Sequence, residues 1–587
     1  MTGRKTACFA ALDGATAAVS GSSAAAQVLR EHLAALGAEV TAGDDHGRIG
    51  GSQRSSLQHD REDLLGTGRG GPFDDTAAHA VLSLPTGRHS VVVDWAGPVD
   101  VPGLRDEATA QAACGVMHVH GRRSGAPRGP AVDYCGTAAG VLATTGLLAS
   151  VLRHPDGEHE VRTSVAEAAL LTVSQYLAAA GAAEGEAVDL TPGGPPFTSA
   201  DGVRFEVEAL VPEVWAAFWT ALDADRAAVG AGWRPYQFRY ATATAPLPDA
   251  LHAAARAAPF ARITAAGAAS GASTCAVRPA ADLPADVVPW RLTPTTGTHT
   301  TGTHTTGAAP DPLLGNEFAT PDPWRVSPTG LDGLVVWEAG RRIQAPLAAH
   351  LLGLLGARVV RVEPPGGDPL RGMPPTSGGV SARWLALNRN KESVEVDLKD
   401  PADRRRLRAA LAPADVFLHN WAPGNAERWG LAAADLPAGL VHAYTSGWGG
   451  ATDADLPVGT DFMVQARTGL ADLVRAADEA PAPSLMTLVD VLGGLVGAEA
   501  VLAGLLTRRA TGRGVAVESS LLGAAALLGR TAPARRPAGF RAPVDGLVCG
   551  VPVTDDLAAL PNDPRFAAVL GRDDRGCPVL GSPWRFR

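Results

Sequence analysis

The sequence predicts an α/β protein made of parallel sheets with helices on both faces, written twice in one chain. Two observations carry this: short apolar strands alternate with helix-length segments, and small motifs of the first half return in order in the second. Leu12-Asp13-Gly14 and Leu331-Asp332-Gly333 are offset by 319, and the same offset takes Leu36-Gly37-Ala38 onto Leu355-Gly356-Ala357. Further on, Gln111-Ala112 and Gly115 match Gln465-Ala466 and Gly469 at an offset of 354. Asp133, Gly136 and Gly140 match Asp490, Gly493 and Gly497 at 357, and Ser164 matches Ser520 at 356. The jump in offset means that some 35 residues present in the second half are missing from the first, between Val40 and Gln111.

The elements are clearest in the second half. Leu334 to Glu338 is a short apolar run, Ala345 to Leu355 repeats leucine on one helical face, and Val359-Val360-x-Val362 follows, giving strand, helix, strand. Asp400-Pro401 is an N-cap and first-turn pair that opens a helix through Leu411. Asp415 to Leu418 and Gly439 to Tyr444 read as the next strands. In such a sheet the ligand lies beyond the carboxyl ends of the strands. No GxGxxG follows the first strand, so an NAD enzyme is not expected. Between the halves, Thr293 to Gly307 reads TPTTGTHTTGTHTTG and runs into a Pro-containing stretch to Trp324, a linker. His299 and His304 within it stand beside no other ligand type and are assigned no metal. A polar stretch from Ala42 to Asp75 reads as a loop or insertion.

Composition narrows the class. With 587 residues, 46% hydrophobic and 19% charged, the chain can bury a large core. Six cysteines form no CxxC pair, which argues against a disulfide framework or a zinc site. A net charge of −10 disfavours a nucleic-acid partner. No uncharged apolar run of membrane-spanning length and no leader pattern stand out, so a cytoplasmic protein without a membrane partner is expected.

Several motifs in the second half then bring a family into view. Arg361-Val362-Glu363-Pro364-Pro365-Gly366-Gly367-Asp368-Pro369, Asn388-Arg389-Asn390-Lys391, and Asn420-Trp421-Ala422-Pro423-Gly424 come first. Gln465-Ala466, Asp490-x-x-x-Gly494 and Thr511-Gly512-Arg513-Gly514 follow in the same order. Together they resemble the family III CoA-transferases, the CaiB/BaiF group that also holds the 2-methylacyl-CoA racemases. The likeness covers most of residues 328–525, and Gln111 to about Cys275 resembles the rest of such a protein. Gly193-Gly194-x-x-Phe197 and Ala200-Asp201-Gly202 resemble the start of the family's smaller domain, which the second half lacks.

The resemblance implies a Rossmann-like parallel-sheet large domain with a small α+β domain. Family members resemble one another as interlocked homodimers, so two fused, unequally trimmed copies would form an intertwined pseudo-dimer in one chain, able to stand alone or to pair again as a homodimer. Residues 1–292 would then be a degenerate first copy, with 8–190 its large-domain part and 191–280 its small-domain part. Residues 293–324 would be the linker, and 325–587 a second copy carrying the large domain and the active site.

The activity implied is transfer of coenzyme A between an acyl-CoA and a carboxylic acid through covalent aspartyl intermediates, with acyl-CoA as substrate and neither metal nor NAD. Read from the sequence alone, Asp490 ahead of Val491 to Arg509 is a helix N-cap; the resemblance makes it the nucleophile. Asp133 is its counterpart, a relic or second nucleophile. Arg361, Arg371 and Lys391, one of three lysines in the chain, are the candidates for the CoA phosphates, with Asn420 near the same strand ends. Gly193 and Gly194 are candidates for a glycine loop over the intermediate. The family's Ala-Gly-Pro after the first strand reads Gln344-Ala345-Pro346 here, and its Asn-Phe-Arg-Pro-Gly arginine is Ala422.

Two alternatives stay open. A racemase needs two acid/base groups, but the sequence has Thr460 where the racemase histidine would stand before Asp461, and Val211 where its small-domain glutamate would fall. An eroded duplicate kept as an acyl-CoA-binding scaffold is the other.

Overall fold

A computed structural model describes residues 11–43, 75–298, 331–451, 455–535 and 546–587. His299, His304, nearly all of the polar stretch from Ala42 to Asp75 and the rest of the linker to Trp324 lie outside the described residues. The alternation of apolar strand and helix produces two sheets, one per half.

In the first half β1 (Thr16–Ser20), β2 (Glu39–Ala42), β3 (Thr76–Ser83), β4 (Gly87–Asp94) and β5 (Gly157–Ser164) run in the order β2-β1-β3-β4-β5. A small domain follows, with β6 (Phe197–Thr198), β7 (Arg204–Glu208) and β8 (Ser273–Ala276) in one antiparallel sheet under four helices. β9 (Trp290–Thr298) leads out of it, so the first six residues of the expected linker, 293–298, are strand.

The second half opens with β10 (Val335–Ala339) and β11 (Arg358–Glu363), then a short hairpin of β12 (Thr376–Ser377) and β13 (Val380–Ser381). β14 (Glu392–Glu395), β15 (Val416–His419), β16 (Val441–Ser446) and β17 (Arg513–Ser520) complete a sheet of order β14-β11-β10-β15-β16-β17, parallel throughout. Every residue of β15 is buried, as a strand covered by helices on both faces must be.

The halves differ where the repeat offset jumps. A parallel neighbour needs a crossover of a dozen residues or more, which the Pro401–Ala410 helix supplies between β14 and β15. No such helix precedes β3 among the described residues. β3 joins β4 through 84–86 alone, a hairpin length, and so runs antiparallel to both β1 and β4. The first sheet has six strands against seven in the second, and β3 among the six is reversed.

Each sheet takes its last strand from the other half. β9 leaves the first half and pairs antiparallel with β17, from Trp290 opposite Ser519 to Pro294 opposite Val515. Residues 546–587 add two hairpins, β18 (Leu547–Val548) with β19 (Val551–Pro552) and β20 (Leu570–Arg572) with β21 (Pro578–Leu580). They end in β22 (Arg585–Phe586), which pairs with β5. Trp584 anchors this return: it is 1% exposed, and its indole N–H donates to Leu142 O at 2.7 Å.

The helices Tyr134–Arg153 and Leu488–Thr511 pack against each other between the sheets. Both are long and apolar enough to cross a membrane, yet 94% of each apolar window is buried inside the protein, so both are core helices. The glycines of the repeat let neighbours close in: a Cβ at Gly140 would stand 2.6 Å from Val28, and one at Gly494 would stand 2.9 Å from Gln344 O. Across the halves His32 Nδ1 meets Glu499 Oε1 at 2.9 Å, with neither side chain more than 1% exposed.

In the small domain β7 is charged on alternate positions. Phe205 and Val207 face its own core with Trp215, Phe218 and Trp219, which turns Arg204, Glu206 and Glu208 to the opposite face. On that face Arg204 Nε donates to Pro481 O at 2.9 Å, in the second half.

Replacing Trp584 with Ala should destabilise the protein by about 3–5 kcal/mol, read as a lowered urea midpoint, because the cavity opens where β22 joins the first sheet.

Candidate active site

Asp490 lies in the first turn of the Leu488–Thr511 helix, two residues inside it; the N-cap is Thr487, held at φ +55°. This corrects the N-cap reading of Asp490 while keeping its carboxylate at the positive end of the helix. The backbone N–H of Asp490 donates to Asp461 Oδ2 at 2.8 Å, and Gln465 Nε2, one turn along, donates to Asp461 Oδ1 at 2.5 Å. Gln465 also brackets Ser484, accepting its N–H at 2.8 Å and donating to its carbonyl at 3.0 Å. The Asp461–Thr468 helix therefore pins the approach to Asp490. The first half adds Tyr134, whose hydroxyl donates to Leu488 O at 3.2 Å.

The cover over this strand end comes from the first half's small domain. Glu208, at the end of β7, pairs with Arg239 at 2.9 Å and accepts from Thr460 Oγ1 at 2.9 Å and from the Tyr240 hydroxyl. Tyr240 stacks on Phe462 of the second half at 4.4 Å, and the Arg342 guanidinium lies 5.5 Å from the Tyr240 ring centre. Burial pushes the Asp490 carboxyl up to about 7; Arg342 pulls it down and Glu208 pushes it further up. Asp461 is raised well above the usual carboxylate range, by burial and by the charge of Asp490.

Asp133 stands at the equivalent place in the first half, capping the Tyr134–Arg153 helix without a side-chain bond to it. Glu107 takes the Asp461 role, accepting the N–H groups of Cys135 and Gly136 at 2.8 Å each and the Gln111 amide at 2.8 Å. Its carboxyl is raised to about 7 by burial and by Asp133. What differs is the cover. The Asp461–Thr468 helix packs under β7 and β8, whereas its counterpart Glu107–Ala113 packs on that side against the β18–β19 hairpin, which stands where a small domain would. Asp133 consequently opens on a cleft of about 340 Å³ that Trp95, Ser22, Ser23 and Glu107 help to line.

The family model of CoA-transferase family III matches twice, over residues 100–316 and 331–545. The chain belongs to CoA-transferase family III. Among curated members it is similar to mouse succinyl-CoA:glutarate CoA-transferase, 33% identical over 197 residues, covering 33% of this chain and 45% of that protein. The beta subunit of succinyl-CoA–L-malate CoA-transferase from Chloroflexus aurantiacus is 36% identical over 197 residues, 32% of this chain and 49% of that one. A CaiB/BaiF protein of Brucella suis of known structure aligns with a TM-score of 0.32 at 30% identity, over 34% of this chain and 55% of that chain. The chain spans about half the length of the curated relatives it matches.

Within this family III chain, the residues expected at the CoA phosphates are mostly committed elsewhere. Arg361 is 2% exposed and ion-paired with Glu338 and Asp368 at 2.6 Å each and with Glu363 at 3.3 Å. It neutralises buried carboxylates and presents no face to a ligand. Lys391 is 1% exposed, and its ammonium donates to Pro346 O at 2.7 Å, Asn388 Oδ1 at 2.9 Å and Glu338 at 3.3 Å, which exhausts its three protons. Burial lowers it to about 8. Arg371 forks onto Glu363 at 2.8 and 2.9 Å and stacks 3.9 Å over Trp384, with about a third of the side chain still exposed. Asn420 accepts the Arg341 N–H and donates to the Arg341 carbonyl, both at 2.9 Å, so it braces the loop after β10.

Gly193 and Gly194 stand at φ +152° and +138°. A Cβ on Gly194 would stand 2.8 Å from Leu485, five residues before Asp490. The pair is tied on both sides, Gly193 N–H to Arg123 O at 3.1 Å and Ala245 N–H to Gly193 O at 3.0 Å.

The residues missed from the sequence are Glu208, Tyr240 and Arg342. Glu208 had a signal in the charge at every second position of β7 and Arg342 in its place directly after Arg341, while Tyr240 had none.

Replacing Lys391 with Met should lower the denaturation midpoint by an amount equivalent to about 3–5 kcal/mol, since Glu338 loses a buried partner. The KM for acyl-CoA of the folded fraction should stay within about twofold of wild type, as the ammonium faces the core rather than the ligand.

Proposed function

We propose that the chain transfers coenzyme A between an acyl-CoA and a carboxylic acid at one complete site, with Asp490 as nucleophile. The observation that carries this is Asp490 at a helix N-terminus, its backbone fixed by Asp461, beneath a small domain contributed by the other half.

An Asp490 oxygen attacks the donor thioester carbon, and the C–S bond breaks with its electron pair going to CoA thiolate, leaving a mixed anhydride. The thiolate then attacks the Asp490 carbonyl of the anhydride and expels the donor acid as carboxylate, leaving an aspartyl-CoA thioester. The acceptor carboxylate attacks that carbonyl and releases thiolate, which attacks the acceptor acyl carbon of the new anhydride. Acyl-CoA leaves and the Asp490 carboxylate returns, with no net proton taken up. The tied Gly193-Gly194 segment over Leu485 favours shielding these intermediates from water. The half-built cover over Asp133 supports reading that residue as a relic.

Glu208 keeps the racemase reading in view, because it supplies the second carboxylate that the sequence placed at Val211 and found missing. Its oxygens are engaged by Arg239, Tyr240 and Thr460, which favours a fixed charge over a proton carrier. Exchange of the α-proton in deuterated water without any acceptor acid would favour the racemase.

Incubation with acyl-CoA followed by hydroxylamine should label Asp490. Asp490→Asn should abolish labelling and reduce transfer at least about 10³-fold; Asp133→Asn should leave both within about twofold. Absence of label in the wild type across a broad acyl-CoA panel would overturn the nucleophile.

The donor half-reaction should also depend on pH. The carboxylate is the reactive form and its pKa is raised to about 7, so lowering the pH through 7 removes it. The rate should be level above about pH 8 and fall tenfold per unit below about pH 6, measured as single-turnover acylation.

A further inference from the structure

The loop after β10 carries a cation that the reaction above leaves unused. Arg342 is an exposed residue at φ +64°, a left-handed conformation that a side chain adopts only where its surroundings fix it. The fixing is visible in the double hydrogen bond between Asn420 and its neighbour Arg341. The guanidinium rests against Tyr240 of the opposing small domain, 5.5 Å from the ring centre. Its charge draws the Asp490 carboxyl down against the upward push of burial. Tyr240, against which this cation rests, stacks on Phe462, the neighbour of the Asp461 that holds the Asp490 backbone.

The helix that follows this loop, Gln344–Leu354, opens with a buried donor that has no partner. Gln344 is 4% exposed, and its side-chain Nε2 has no hydrogen-bond partner. It lies against Gly493, one helical turn from Asp490. A buried N–H left without an acceptor costs free energy unless a ligand supplies one. Arg239, the other guanidinium at the cover, is spent on Glu208 and stacks 3.7 Å over Tyr236.

An acceptor acid must bring its own negative charge to a site where the carboxyl groups of Asp490, Asp461 and Glu208 already gather. A monocarboxylate cannot both pair with a fixed cation and attack the aspartyl thioester with the same oxygens. A dicarboxylate can do both, holding one end while the other reacts. The CoA phosphates are a poorer partner for this guanidinium, because the whole pantetheine arm separates them from the reacting sulfur.

We propose that Arg342 binds the distal carboxylate of the acceptor acid and so selects short dicarboxylic acids. This rests on the transfer reading above and goes beyond it by naming the acceptor class and the residue that reads it. The planar fork suits a carboxylate bidentately, and the left-handed backbone fixes its direction.

The test compares acceptors in the full-length protein. The ratio of kcat/KM for glutarate to that for butyrate, with the same donor acyl-CoA, cancels any effect of substitution on the donor half-reaction. Arg342→Gln should lower that ratio about 10- to 100-fold, and Arg342→Lys, which keeps charge but loses the fork, should lower it less. Equal losses for both acids, or an unchanged ratio, would overturn the proposal. Equilibrium titration of glutarate and butyrate into wild type and Arg342→Gln gives a reading that needs no turnover. Preference for glutarate in the wild type, lost in the variant, supports the proposal even if transfer itself fails; equal binding of the two acids to wild type overturns it. Absence of hydroxylamine label with intact glutarate preference would sink the transfer reading alone.

Discussion

Everything at the site depends on the reciprocal exchange of terminal strands. β9 carries the first half's small domain to the far sheet, where β7 and β8 meet the Asp461–Thr468 helix. β22 returns the favour at the near sheet, locked by Trp584. Neither sheet is complete from its own residues, so the cover and the nucleophile it covers are held by one folding event. Between the two exchanges Glu499 of the Leu488–Thr511 core helix meets His32 of the first half's Ala24–Ala35 helix, both buried.

That constraint also leaves the two halves with unequal covers. A symmetric pair of halves would give two covers and two nucleophiles. Here the second half has replaced its small domain by the β18–β19 and β20–β21 hairpins, and the first half has replaced a crossover strand by the β3–β4 hairpin. Both losses affect the Asp133 side. Around Asp133, Glu107 and Gln111 keep the outline of the Asp461 and Gln465 arrangement, and Glu107 ties down the start of the Tyr134–Arg153 helix.

Much of this was legible from the chain alone. The strand-helix alternation of residues 334–418 and the Asp400-Pro401 helix start are local signals, and they produced β10, β11, β15 and the Pro401–Ala410 helix within a residue or two. The repeat offsets marked where the first sheet would be irregular, though not that a strand would reverse. Arg361 and Lys391 are paired inside the core for a physical reason. Arginine and lysine in a motif are equally suited to a phosphate and to a buried carboxylate, and only the fold brings Glu338, Glu363 and Asp368 around Arg361 and Glu338 to Lys391. Arg342 was silent because its meaning lies in a backbone angle and in Tyr240, about 100 residues away in sequence.

The position of β22 also has a consequence for how the molecule comes into being. β5 is finished at residue 164, but the strand that covers its edge begins at 585. At roughly 5–20 residues per second, the ribosome leaves that edge without its native neighbour for on the order of tens of seconds. An exposed strand border is a template for wrong pairing, so the nascent first half is the species most in need of a chaperone during translation.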